Sequence, residues 1–187
     1  MKNILLICEN KKSAEQIISV INDSEIANVT VCPDISQAQS MFCSNVFHCV
    51  VINSPDYTQN HIEFCKYVTG KTAVPIIALI KNISDYEKKL RAASVFIIRK
   101  PFSVQSFKDI ILNCFSLNLR MIEYEKEESK LMAKLSDLKT ISHAKCLLVE
   151  KMAISEENAH KFIEKRAMDM RISKAAVSKM IIEQFAV

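Results

Sequence analysis

The chain has 187 residues, 49% of them hydrophobic, and 25 Lys and Arg against 21 Asp and Glu leave a net charge of +4. That length holds one large domain or two small ones, and so mild a basic excess permits a nucleic-acid partner without demanding it. A single glycine, Gly70, excludes Gly-rich phosphate-binding loops, and no run reaches the roughly 20 apolar residues that cross a bilayer.

The opening MKNILLICEN has one lysine and an apolar run that is short and ends in charge, so it reads as a first strand and not as a signal peptide. Short runs rich in β-branched residues at 4–8, 28–32, 49–52, 74–80 and 95–98 predict five strands. Between them, Ala14, Ile17, Ile18 and Ile21 share a helical face, as do Ala38, Met41 and Phe42, then Ile62, Cys65 and Val68, and more weakly Tyr86, Leu90 and Ala93. Unbroken apolar strands alternating with amphipathic helices imply a parallel sheet covered on both faces, the α/β flavodoxin-like plan, whose functional site lies at the carboxyl ends of the strands. The seven cysteines are odd in number, show no CxxC spacing and mostly sit in apolar runs, as expected of reduced core thiols in a cytoplasmic protein.

After Pro101 the pattern changes: no strand signal, proline or glycine follows. Phe107, Ile110, Ile111, Cys114 and Phe115 predict the last helix of the sheet domain, which runs on through LRMIEYEKEESKLMAKLSDLKTI. Leu131, Leu135 and Leu138 are spaced four then three, with Ile122 and Tyr124 further back, which predicts a dimerising coiled-coil helix interrupted at Glu128 and Ser129; one solvated helix packed on its own domain is the alternative. Ser155 and Ser173 each precede a short helical pattern and can cap it, with Glu156 and Glu157 suited to the positive helix end. These signals divide the chain into 1–118, 119–141 and a three-helix 142–187, the last with a core of Ala144, Leu147, Leu148, Ala159, Ile163, Ala167, Val177 and Ile181.

The strand ends carry Cys8, Glu9 and Asn10, then Asn53, Ile80 and Lys100. With ILLICEN, VVINSPDYTQNHIEFCKYV, VPIIALI and FIIRKPF in this order, residues 1–118 resemble the receiver domain of two-component response regulators. The resemblance implies a cis Lys–Pro bond in KPF and places Asn53 where the phosphorylated aspartate stands. It also places Ile80 at the hydroxyl position, and Cys8–Glu9 or Glu9–Asn10 at the acidic pair. An amide forms no acyl phosphate, and one carboxylate holds Mg²⁺ poorly, so Glu9, Asn10, Asn53, Ile80 and Lys100 are expected to form a degenerate phosphoacceptor site, a pseudo-receiver. Asp56 falls on the loop beyond the strand and is not expected to substitute.

Further on, AKCLLV, ISEENAH, AMDMRISKAAV and MII resemble the ANTAR domain of the AmiR/NasT transcription antitermination regulators. Cys146 departs from the family's glycine, Val149 from its methionine, His160 from its aromatic and Glu164 from a frequent basic residue. From Lys130 onward eleven Lys and Arg face seven Asp and Glu, an excess equal to the whole net charge. The resemblance implies RNA binding, expected at Ala144, Lys145, His160, Lys161, Lys165, Arg166, Arg171 and Lys174, with cations on phosphates and His160 stacked on a loop base. The expected function is antitermination: a homodimer, paired through Ile122, Leu131, Leu135 and Leu138, stabilises a hairpin pair in a nascent mRNA leader and excludes the terminator. A sensor or other signalling protein is a possible further partner. No metal site or cofactor is expected, since His48, His61, His143 and His160 have no ligand spacing and no nucleophile–base pair is visible, which makes an enzyme the least favoured class. The rivals are a module that sequesters a signalling partner, and a DNA-binding regulator, disfavoured because KAAVSKMIIEQF is too apolar to read bases.

Overall fold

A computed structural model describes residues 2–22, 26–81 and 85–185. Its elements run β1 (Asn3–Cys8), α1 (Lys11–Asn22), β2 (Asn28–Cys32), α2 (Ile35–Ser44), β3 (Cys49–Asn53), α3 (Gln59–Lys71), β4 (Ile76–Ile80), α4 (Asp85–Ala92), β5 (Phe96–Arg99), α5 (Val104–Met152), α6 (Glu156–Met170) and α7 (Lys174–Phe185). The chain divides into two compact units, residues 1–123 and 124–187.

In the first unit the strands pair in parallel in the order β2-β1-β3-β4-β5. Side chains alternate across a strand, and here both faces are covered. Leu5, Ile7, Val50, Ile52, Ile76, Ala78 and Ile80 point into one core with Ala38 of α2, Ile62, Cys65 and Val68 of α3 and Leu90 of α4. Ile4, Leu6, Cys8, Cys49, Val51, Ile77 and Leu79 point into the other, with Ala14, Ile17 and Ile21 of α1 and Phe107, Ile111, Cys114 and Phe115 of α5. This two-sided burial explains why the strands read as unbroken apolar runs. The flavodoxin-like fold follows, and the order turns back between β1 and β3, so their carboxyl ends border a crevice. β4 begins at Ile76, later than the sequence predicts, although the carbonyl of Pro75 still accepts from Val50 N–H at 2.9 Å.

In the second unit Ala144, Leu148, Ala159, Ile163, Ala167, Val177 and Ile181 form a separate core. Leu147, expected in it, is only half-buried. Ser155 accepts from Asn158 N–H at 3.2 Å and Ser173 from Ala176 N–H at 3.1 Å, so both serines cap the helices they precede. Between them α6 ends on Arg171, at φ 56° and ψ 40°. The N–H of Ile172 bonds the carbonyl of Ala167 at 3.1 Å and the N–H of Arg171 that of Met168 at 3.2 Å, a Schellman closure with arginine where glycine is usual.

Candidate functional site

Two regions carry the sequence-predicted residues. The first is a cleft of about 610 Å³ at the strand ends, lined by Glu9, Asn10, Ser13, Asn53, Ser54, Pro55, Lys81 and Lys100. Asn53 ends β3 and is 7% exposed. Its amide works in both directions: Oδ1 accepts from Lys100 Nζ, and Nδ2 donates to Cys8 Sγ at 3.2 Å. Cys8 lies directly across from Asn53 in the β1–β3 register and passes its own S–H to the carbonyl of Asn10 at 3.3 Å. Cys8 thus faces Asn53 from β1 and Glu9, the next residue, lines the cleft, while Asn10 turns its side-chain oxygen to Ser13 N–H at 2.9 Å and caps α1. Every polar atom of the buried amide is therefore matched without a metal.

Lys100 sits at the end of β5, before a cis bond to Pro101. Burial holds its amine below the ordinary lysine value, with Lys81 adding repulsion and Cys8 acting the other way. Ile80 brings no polar group: it is 5% exposed and packs into the core under α3 and α4. Lys81, the next residue, lines the cleft instead; its position one step past β4 was the available signal, and sequence reasoning passed over it. Asp56 is exposed beyond the strand, and its carbonyl accepts from the buried Ser54 hydroxyl at 2.8 Å. Below this loop Tyr57 donates to the carbonyls of Ile52 at 2.9 Å and Leu79 at 3.3 Å, tying β3 to β4 beneath the site.

The second region is the surface of the tail. Lys145 pairs with Glu156 at 2.5 Å, Lys161 with Glu157 at 2.6 Å, Lys174 with Glu164, and His160 with Glu164 at 3.2 Å. Lys165, Arg166 and Arg171 are exposed and have no carboxylate within 4 Å among the described residues, and Arg166 lies 5.9 Å from the Phe162 ring centroid. Ala144 corrects one expectation. It has no exposed surface and belongs to the tail core, so its side chain cannot touch RNA; small size lets α5 pack closely there and fixes where Lys145 emerges.

On α5, Leu131, Leu135 and Leu138 are 60%, 53% and 62% exposed, so none of the described residues covers them. Leu117, Met121 and Tyr124 are exposed too, and with Glu128 they continue the same four-three spacing backward. Ile122 lies one residue off this seam and is half-buried; Met121 occupies the position expected of it.

The parallel order, the strand-end cleft and its lysine define a receiver-like domain. A solved two-component response regulator from Clostridium difficile overlays 62% of this chain on 97% of its own at TM-score 0.55 and 13% identity. The response regulator StyR matches 98% of this chain and 99% of its own at TM-score 0.67, also at 13% identity, which speaks for the fold alone. Residues 129–182 match the ANTAR domain family. The transcriptional regulatory protein PdtaR of Mycobacterium tuberculosis is 27% identical over 124 residues, 65% of this chain; the match spans 60% of that relative's length. Residues 129–182 thus match an ANTAR domain, and the first unit has the fold of a response-regulator receiver.

Proposed function

We propose that the protein is an RNA-binding transcription antiterminator that acts as a homodimer and is not switched by phosphorylation. The observation that carries the reading is the ANTAR domain at 129–182. Its cations would hold the phosphates of a leader hairpin, Lys165, Arg166 and Arg171 directly, and Lys145, Lys161 and Lys174 by exchanging a carboxylate for a phosphate. Exposed ion pairs are worth about 0–1 kcal/mol, so that exchange is not forbidden. His160 would stack on an unpaired loop base. The α5 seam would join two copies, each presenting one tail to one of two hairpins, and the paired hairpins would exclude the terminator. Domain limits of 1–118, 119–141 and 142–187 suit this division of work, as does a cytoplasmic location beside the polymerase; among the described residues no helix is long and apolar enough to cross a membrane.

The cleft supports the second half of the proposal. Transfer to an aspartate needs a carboxylate nucleophile, a metal held by two acids, and a hydroxyl and lysine on the departing oxygens. Here Asn53, Cys8 and Ile80 stand at three of those places, and Lys100 gives one of its donors to the Asn53 amide. The test is in-vitro transcription through a leader holding tandem hairpins beside a terminator. Readthrough should rise with protein and be the same with or without acetyl phosphate and Mg²⁺, with intact mass unchanged. Readthrough that never exceeds the protein-free level contradicts the antiterminator, and a gain of one phosphoryl group contradicts the unswitched receiver.

A further inference from the structure

The strand-end cleft does not stop at its polar wall. A second cavity of about 340 Å³ shares Ser13, Asn53 and Lys100 with it and is otherwise lined largely by Ile17, Val20, Leu79, Pro101, Phe102 and Phe107. The two cavities adjoin at these three residues, the first with polar and charged side chains and the second, between α1 and the β5–α5 turn, mostly apolar; together they make a depression polar at one end and apolar at the other. Ligand pockets typically occupy about 300–1,000 Å³ and combine an apolar lining with a few placed polar groups.

The charges at the polar end select the ligand. Lys81 and Lys100 face it with one carboxylate, Glu9, a balance of one positive charge. Asn53 is neutral, so the carboxylate that would repel an anion at the centre of the site is absent. Lys100 spends one of its three N–H donors on Asn53 Oδ1, leaving two for a ligand. Ser13 adds a hydroxyl, while that of Ser54 is already given to the Asp56 carbonyl, and no acidic residue stands in the first turn of α1.

We propose that this depression binds a small amphipathic monoanion, a carboxylate on an apolar body, with the carboxylate between Lys81 and Lys100 and the body along Val20, Phe102 and Phe107. Burial depresses the Lys100 amine, and a bound carboxylate would offset that penalty. The site would thus take a freely diffusing ligand where a receiver takes a phosphoryl group, and it stands independently of RNA binding by the tail.

Calorimetric titration of the full chain with octanoate tests this, with acetate as the head alone, octanol as the body alone and octyl phosphate as a more highly charged head. Octanoate should saturate one site and bind at least about tenfold tighter than each of the other three. Lys81→Glu, at an exposed position, and Val20→Trp, which fills the apolar end, should each weaken octanoate by about tenfold or more while the circular dichroism spectrum stays unchanged. Absence of saturable octanoate binding in the millimolar range overturns the proposal. So does octanol or acetate binding as tightly as octanoate, or octanoate affinity indifferent to Lys81→Glu. Tighter binding of octyl phosphate overturns the monoanion assignment.

Discussion

Arg171 is the residue at which backbone and proposed function pull apart. A left-handed conformation costs an ordinary residue about 1–2 kcal/mol that glycine does not incur, and the arginine there leaves its guanidinium without a carboxylate partner among the described residues. On the proposed function, a phosphate contact of the guanidinium is what keeps arginine there. Arg171→Gly should therefore leave denaturant stability unchanged or raise it by up to about 1 kcal/mol. Its affinity for a hairpin RNA should fall several-fold; a loss of both together would assign Arg171 to structure. His61 gives a second test at this scale. Its Nδ1 accepts the N–H of Thr58 at 3.2 Å and lies 2.9 Å from the Thr58 hydroxyl, and burial holds the imidazole below its ordinary 6.5, with Glu9 opposing. The unfolded chain thus takes up the proton first. The stabilisation is present above 6.5 and is lost as pH falls from there toward the folded value; His48, depressed by burial and Lys2, adds in the same sense. His61→Gln keeps a cap acceptor without a titrating proton, so urea midpoints should drop less between about pH 7.5 and about pH 5.5 in the variant than in the wild type.

At the scale of elements, the strands and helices were legible because their cores are two-sided: Leu5 and Leu6 face opposite cores and both must be apolar. The serine caps were legible for the same local reason, since a hydroxyl one residue before an amphipathic run has free N–H groups to accept from. The turns were not. Ser94, Ala153 and Arg171 all adopt positive φ, while the one glycine lies within α3, so the usual marker of a left-handed residue is absent where it was needed. Ala144 was read both as core and as an RNA contact, and its burial agrees with the first, because a motif position says nothing about which way a side chain faces. Ile122 was chosen for its apolarity, but the seam spacing selects Met121. That spacing brings Glu128 onto the seam, where in a parallel pair it would meet its own copy. A polar residue in such a seam lowers stability. Glu128→Leu should therefore tighten self-association in sedimentation equilibrium, and Leu135→Lys should abolish it; a monomer in both variants and in the wild type would remove the seam from the account.

For the whole molecule, the sequence conveyed the two candidate regions unevenly. The amide at the position the receiver resemblance gives to the phosphoacceptor was readable from Asn53 alone. What surrounds it was not: the mutual satisfaction of Asn53, Lys100 and Cys8, and the arrival of Lys81 on the cleft, depend on strand register and on where β4 ends. In the tail the net positive charge was plain, but four of the expected RNA contacts turned out to be held by glutamates, which leaves Lys165, Arg166 and Arg171 as the expected cations without a carboxylate partner among the described residues. On the proposed function, binding through them would release counterions, so affinity should fall steeply with salt. The most direct measurement is the salt dependence of binding to a leader hairpin RNA, for the wild type and for Lys165→Ala/Arg166→Ala. The account predicts saturable binding at low salt, and a log–log slope that becomes shallower by about 2 in the double variant. Absence of binding at low salt, or an identical slope in the two proteins, would contradict it.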